Sequence, residues 1–197
     1  MESAEILFSE NGFDGTSVRD IAEKAGVNLA MISYYFGSKE KLMESIFHYR
    51  SERLTDQLNQ MLRDSLMSSM EKINNLIDSY IDKFLQQTCF HRIMVREQLT
   101  NAKGPMGEMI LKVKTNNYNL INQLIKEGQK RGEFTKPIDI GMMMATLIGT
   151  VNHILSTQHY YRDMENLQDL SEEQFRKHIR KKLSVHLKSL FKSSLIH

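Results

Sequence analysis

The chain has 197 residues with 26 Lys and Arg against 24 Asp and Glu, a net charge of +2, one cysteine, two prolines and no tryptophan. That length allows one globular unit with a sizeable core, or a small head on a larger body, and the near-neutral balance excludes a general polyanion binder. The lone Cys89 excludes an internal disulfide framework, fits a reducing compartment and reads as a small core residue.

Abundant Met, Leu, Ile, Lys and Glu, without sustained alternation of period two, predicts an all-α protein of about nine helices. Glu2, Glu5 and Glu10 interrupt any basic and apolar leader, so a cytoplasmic protein is expected. The first helix is read over Glu2–Asn11, with Leu7 and Phe8 inward, Gly12 at its C-cap and Phe13 closing a small core. Ser17 then caps a second helix in capping-box fashion with Asp20. Its apolar stripe is Ile21, Ala22 and Ala25, and Gly26 stops it where a positive φ is easiest. Val27 is an apolar plug, and Asn28 caps a third helix with Ile32 and Phe36 inward.

Ala22, Gly26 and Ile32 are the small residue, the turn and the branched packing residue that a helix-turn-helix needs. The bland alternative is two turns of an ordinary bundle. Ser38 caps a long helix from Lys39, and a break at 65–69 precedes an amphipathic helix over 70–87 carrying Tyr80. A short helix over 90–99, the Gly104-Pro105 punctuation and a helix over 106–131 follow. RGEFTKP is a loop, and Pro137 is placed just inside the next helix, which runs to about Ser156.

Residues 140–161 carry no Asp, Glu, Lys or Arg, but Asn152, His153, Gln158 and His159 make the stretch too polar for a membrane span. It reads as a buried helix. A polar connection over 162–170 leads to a last helix capped by Ser171, with the stripe Phe175, Ile179, Leu183, Leu187 and Leu190.

The stretch GFDGTSVRDIAEKAGVNLAMISYYFGSKEKLMESIF resembles the DNA-binding head of the TetR (tetracycline-repressor) family of bacterial transcription regulators. The resemblance covers about the first fifty residues; the rest matches in length and helical organisation. It implies a helix-turn-helix domain over 1–46 and a dimerising, ligand-sensing body over 47–197. It implies base contacts from Leu29, Ala30 and Ser33, with Thr16, Arg19, Tyr34, Tyr35 and Lys39 mostly on the phosphate backbone. Lys39 fits independently, because it opens a helix whose N-terminus already attracts phosphate. Ser33 departs from the tyrosine common there, which shifts recognition toward thymine methyls and DNA shape.

Two features pull against the resemblance. The first fifty residues carry five basic and eight acidic side chains, whereas nucleic-acid binders usually leave a basic footprint. The family also usually has another turn before the first helix; a shortened head and a displaced start each account for its absence.

Chemistry is sparsely signalled. The seven histidines form no metal-ligand spacing, and no catalytic or phosphate-binding fingerprint occurs, so neither an enzyme nor a cofactor is expected. Arg176, Lys177, Arg180, Lys181, Lys182, Lys188 and Lys192 read as a solvated face, with a second nucleic-acid or membrane-surface site as the alternative. Tyr80, Met143, Asn152 and His153 are candidate ligand-lining residues, for an uncharged or amphipathic small molecule. Leu147, Val151, Ile179, Leu183, Leu187 and Leu190 are assigned to a homodimer seam. The reading is a regulator, a repressor in most of that family, that binds a palindromic operator on double-stranded DNA as a dimer and is released by a small organic ligand. Its rivals are a regulator whose body is only a scaffold, and a helical protein that has lost DNA binding.

Overall fold

The computed structural model describes residues 1–196, which contain ten helices and no strand. They are α1 (Glu2–Asn11), α2 (Val18–Ala25), α3 (Leu29–Phe36), α4 (Lys39–Arg63), α5 (Ser69–Gln86), α6 (Thr88–Thr100), α7 (Pro105–Lys130), α8 (Ile140–Ser156), α9 (Gln158–Met164) and α10 (Glu172–Ile196). His197, one of the histidines weighed above, lies outside the described residues.

Two boundaries differ from the sequence reading. Pro137 lies outside α8, because Asp139 Oδ1 accepts the Met142 N–H at 3.0 Å and so caps the helix three residues later. The polar tail after Ser156 bends by 80° into α9, which supplies the tenth helix. Among the described residues no single helix is long and apolar enough to cross a membrane.

The chain forms two compact units. The first comprises Met1–Arg53 and Gln87–Thr115; the second comprises Leu54–Gln86 and the chain from Asn116 onward. In the first unit, Ala4 and Phe8 of α1 pack with Ile21, Ala22, Ile32, Leu42, Ile46 and Phe47. Phe90 and Ile93 of α6 and Ile110 of α7 join the same core, so this unit draws on chain well beyond residue 46. The buried Glu5 would be costly alone, and Arg50 meets it with Nε and Nη2 both 2.9 Å from its Oε2.

In the second unit α5 supplies one continuous apolar face, Ile73, Leu76, Ile77, Tyr80, Ile81 and Phe84, against which α8 and α10 close. Most of the residues assigned to the dimer seam face this core. Leu147, Val151, Ile179, Leu183 and Leu187 are all buried within the single chain, Leu183 at 4% exposure, and only Leu190 remains exposed. The α8 and α10 stripes are covered in the protomer by the complementary face of α5. Polar flanks fix the α5–α10 register: Asp78 accepts from the Ser184 hydroxyl at 2.6 Å and pairs with Lys188, and Asp82 takes both Nε and Nη2 of Arg180. Arg176, Lys177 and Lys182 are paired as well, with Glu172, Glu173 and Glu165. The basic face of α10 is therefore largely neutralised, which favours a solvated face over a second polyanion site.

Gly128 lies inside α7, where alanine would ordinarily raise helix stability by about 1 kcal/mol. Here a Cβ would stand 2.3 Å from the ring of the buried Phe134 and 3.0 Å from Ser69 Cβ. Overpacking of that kind costs about 1–3 kcal/mol and outweighs propensity. Gly128→Ala is therefore expected to lower stability in urea melts, against the direction that helix propensity alone gives.

Candidate nucleic-acid interface

The head is assembled by local chemistry. Ser17 Oγ accepts the Asp20 N–H at 3.1 Å while Asp20 Oδ2 accepts the Ser17 N–H at 2.8 Å, closing the capping box at the start of α2. These two bonds hold the Asp20 carboxyl below its ordinary range. Gly26 adopts the left-handed conformation, φ 65° and ψ 32°, that turns the chain out of α2. Asn28 Oδ1 then accepts the Ala30 N–H at 2.9 Å and starts α3. Ile32 alone among the α3 residues is buried, seated on Ile21 and Ala22.

Everything else on α3 is turned outward except the half-buried Phe36. Leu29, Ala30, Ser33 and Tyr34 share the exposed face, Tyr34 being 83% exposed, and Tyr35 stands edge-on to Tyr34 with ring centroids 5.1 Å apart. Met31 is exposed too, a residue the helical pattern did not single out. No charged side chain lies on α3. The stripe on α2 is narrower than expected, because Ala25 is exposed, and Val27 is exposed rather than a plug.

Two of the residues implied for phosphate are occupied elsewhere. Thr16 is 1% exposed, and its hydroxyl donates to the Gly12 carbonyl at 2.8 Å and the Leu7 carbonyl at 3.2 Å. Lys39 Nζ donates to the Phe13 carbonyl at 2.8 Å and the Thr16 carbonyl at 3.0 Å, and lies 4.3 Å from the centre of the Phe13 ring. A helix-opening lysine read from sequence has no visible claim on it; the folded turn brings those carbonyls to it. Arg19, Lys24 and Lys41 are the exposed cations of the head. The sequence reading named only Arg19 of these three; Lys41 lies two residues into the same helix that Lys39 opens.

The four candidate effector residues do not form one set. Tyr80 and Met143 are buried; burial pushes the Tyr80 phenol up, opposed by its hydrogen bond with Asn117, whose Oδ1 also accepts from Thr55 Oγ1 at 3.0 Å. Asn152 is half-buried and accepts from Ser156 Oγ at 3.2 Å. His153 is exposed on α8. Lys83, one turn beyond Tyr80, went unnoticed in sequence; burial alone brings its ammonium down to about 8.

Comparison with known proteins agrees with this geometry. Residues 1–46 match the family described as bacterial regulatory proteins, tetR family, and residues 70–184 match the tetracyclin repressor-like C-terminal domain. The Bacillus subtilis protein named "Probable HTH-type transcriptional regulator YttP" is 35% identical over 138 residues, covering 68% of this chain and 65% of its own length. FadR from Bacillus subtilis, solved in complex with stearoyl-CoA, superposes with a TM-score of 0.64 at 19% identity over 95% of both chains. The ketosteroid transcriptional regulator KstR2 of Mycobacterium tuberculosis does so at 0.70 and 18%, over 95% of this chain and 92% of its own. At these identities the two superpositions speak for the fold.

Charge-assisted hydrogen bonds of this sort contribute about 1.5–3 kcal/mol each. Lys39→Ala is therefore expected to lower the melting temperature of the free protein, and thermal unfolding checks it: a lysine that only touched phosphate would leave the DNA-free protein unchanged.

Proposed function

The chain belongs to the tetR family of bacterial regulatory proteins and is a helix-turn-helix transcription regulator, and from that premise we propose that it acts as a repressor, a dimer on a palindromic operator released by a small organic effector. The observation that carries the operator reading is α3 itself. It is anchored by one buried residue, Ile32, and gives its remaining face to solvent without a charge on it. Large apolar and aromatic side chains left exposed on a short, doubly capped helix are costly unless something covers them. Base edges in a major groove offer thymine methyls to Leu29 and Ala30 and hydrogen-bonding atoms to Ser33. Tyr34, Tyr35, Arg19 and Lys41 flank that face and would meet phosphates.

For the dimer, the exposed surface of the second unit beside those buried stripes supports the reading. A groove beside α10 is lined by Thr150, Ile154, His178, Lys182, Val185 and His186, and Val185 is 64% exposed. His178 Nε2 is buried there without a hydrogen-bond partner in the protomer. A two-fold copy of this face would cover Val185 and Leu190 and offer His178 a partner.

The effector is expected to be amphipathic, as stearoyl-CoA is in the FadR complex. The polar tips of Tyr80, Asn117 and Lys83 within the apolar second unit support that class. A purely dimerising body would give no thermal stabilisation with any amphipath that also releases DNA, since such release requires tighter binding to the free protein.

Operator binding is tested by fluorescence anisotropy on promoter-proximal inverted repeats with half-site centres about 10 base pairs, or a small multiple, apart. Ser33 or Ala30 replacements should change which repeat is preferred. Lys41→Ala should weaken all sequences alike and flatten the log–log salt slope by about 0.9. No preference for any repeat over random DNA would overturn the reading. For assembly, Val185→Glu is expected to give folded monomers by sedimentation, whereas Leu183→Glu should unfold the protomer itself, because its charge would be desolvated in the core. A stable Val185→Glu dimer would move the interface elsewhere.

A further inference from the structure

The first unit contains a pocket of about 90 Å³, open to solvent at one side, that the operator reading does not use. Its apolar wall is Met43 of α4, Met106 and Met109 of α7, and the ring of Phe13; its acids are Glu40 and Glu44 of α4 and Glu97 of α6. Glu97 is the unusual member. It is 8% exposed, yet among the described residues its carboxylate accepts no hydrogen bond and meets no cation at ion-pair distance.

The nearby cations are turned to other tasks. Arg96 lays its guanidinium against Gly12, whose Cβ position would lie 2.6 Å from Arg96 Cζ. Lys39 is held by the Phe13 and Thr16 carbonyls. Burial first, and then the negative charge of Asp14, push the Glu97 carboxyl above its ordinary range, with Arg96 opposing. The rest of the residue is covered while the unpaired carboxylate opens into the pocket, so a cation bound there would meet a charge that no protein group compensates.

We infer that this pocket binds an organic cation with an apolar body, its ammonium directed at Glu97 with Glu40 and Glu44 at the rim, and its hydrocarbon among Met43, Met106, Met109 and Phe13. Methionines adapt their shape to irregular apolar groups, which suits a ligand of this kind. The pocket also shares Phe13 with the Lys39 contact that shapes the turn before α2. A cation lodged there therefore bears on the geometry of the head, and cation and DNA affinities become linked. The linkage rests on the operator reading; the binding does not.

The probe is 4-phenylbutylammonium, compared with neutral 4-phenylbutanol of nearly the same shape, titrated into the full chain carrying methyl-labelled methionines. Calorimetry should give at least about tenfold tighter binding for the cation, the low end for a close charge pair. The methyl signals of Met43, Met106 and Met109 should shift while those of Met142, Met143 and Met144 stay. Glu97→Gln keeps the shape and removes the charge, so it should abolish the cation's advantage without loss of thermal stability. Glu44→Gln, an exposed rim change that cannot disturb folding, should reduce that advantage by a smaller factor. Equal binding of the alcohol, no binding of the amine, an unaffected Glu97→Gln, or shifts confined to Met142–Met144 would each overturn the inference. Operator affinity of the ligand-free protein is measured separately, so its absence would remove the regulator reading and leave the cation site standing.

Discussion

The ammonium of Lys39, held between the carbonyls of Phe13 and Thr16 and above the ring of Phe13, is the contact on which the head depends. Those carbonyls belong to the turn that leads into α2, and the Thr16 hydroxyl returns to Gly12 and Leu7 across the same turn. With the turn fixed, Ser17 sits where its capping box with Asp20 can form, so Ile21 and Ala22 face the core and can seat Ile32. The helices α1 to α3 share their apolar core with α4, α6 and α7, and these directional polar bonds add the fixed geometry of the turn between α1 and α2. That is why α3 can leave nearly all its large side chains outside and still be held in one orientation.

The acidic balance of the head looked like an argument against nucleic acid, and the structure resolves it by location. Glu5 is neutralised by Arg50. Asp20 and Glu40 lie in the first turns of α2 and α4, where capping hydrogen bonds hold both carboxyls below their ordinary range. None of these acids is on α3. Net charge sums over a surface, whereas a groove meets only the face turned toward it.

In the second unit the same chain solves a different problem. Three apolar faces, on α5, α8 and α10, are satisfied by one another, with charged pairs such as Asp82–Arg180 and Asp78–Lys188 along the margin. Exposed pairs of this kind add little free energy, yet they penalise a slipped register, since a shift of one turn leaves each charge opposite the wrong neighbour. What remains outside is a mixed surface of Val185, His186 and Leu190 beside the half-buried His178, less apolar than a buried stripe and better suited to a partner that is polar at its rim.

The sequence by itself determined the helices, the helix-turn-helix and the resemblance to its family. These depend on residues close together in the chain: Ser17 with Asp20, the glycine at 26, Asn28 with Ala30, and the spacing of Ala22 and Ile32. Local order also made Leu29, Ala30, Ser33 and Tyr34 legible as one exposed face, because helical periodicity alone puts them together. Only the tertiary structure decided which charges and stripes were already satisfied. Lys39 reaches Phe13 across 26 residues, Asp82 meets Arg180 across 98, and the α10 stripe meets α5 over a similar span. A periodic apolar stripe states that a face must be covered but not by what, so Leu183 reads the same whether its partner is α5 or a second copy. Glu97 is the converse case: it looks in sequence like any solvated helix carboxylate, and its place on the wall of a pocket arises only from the folded surroundings of α6.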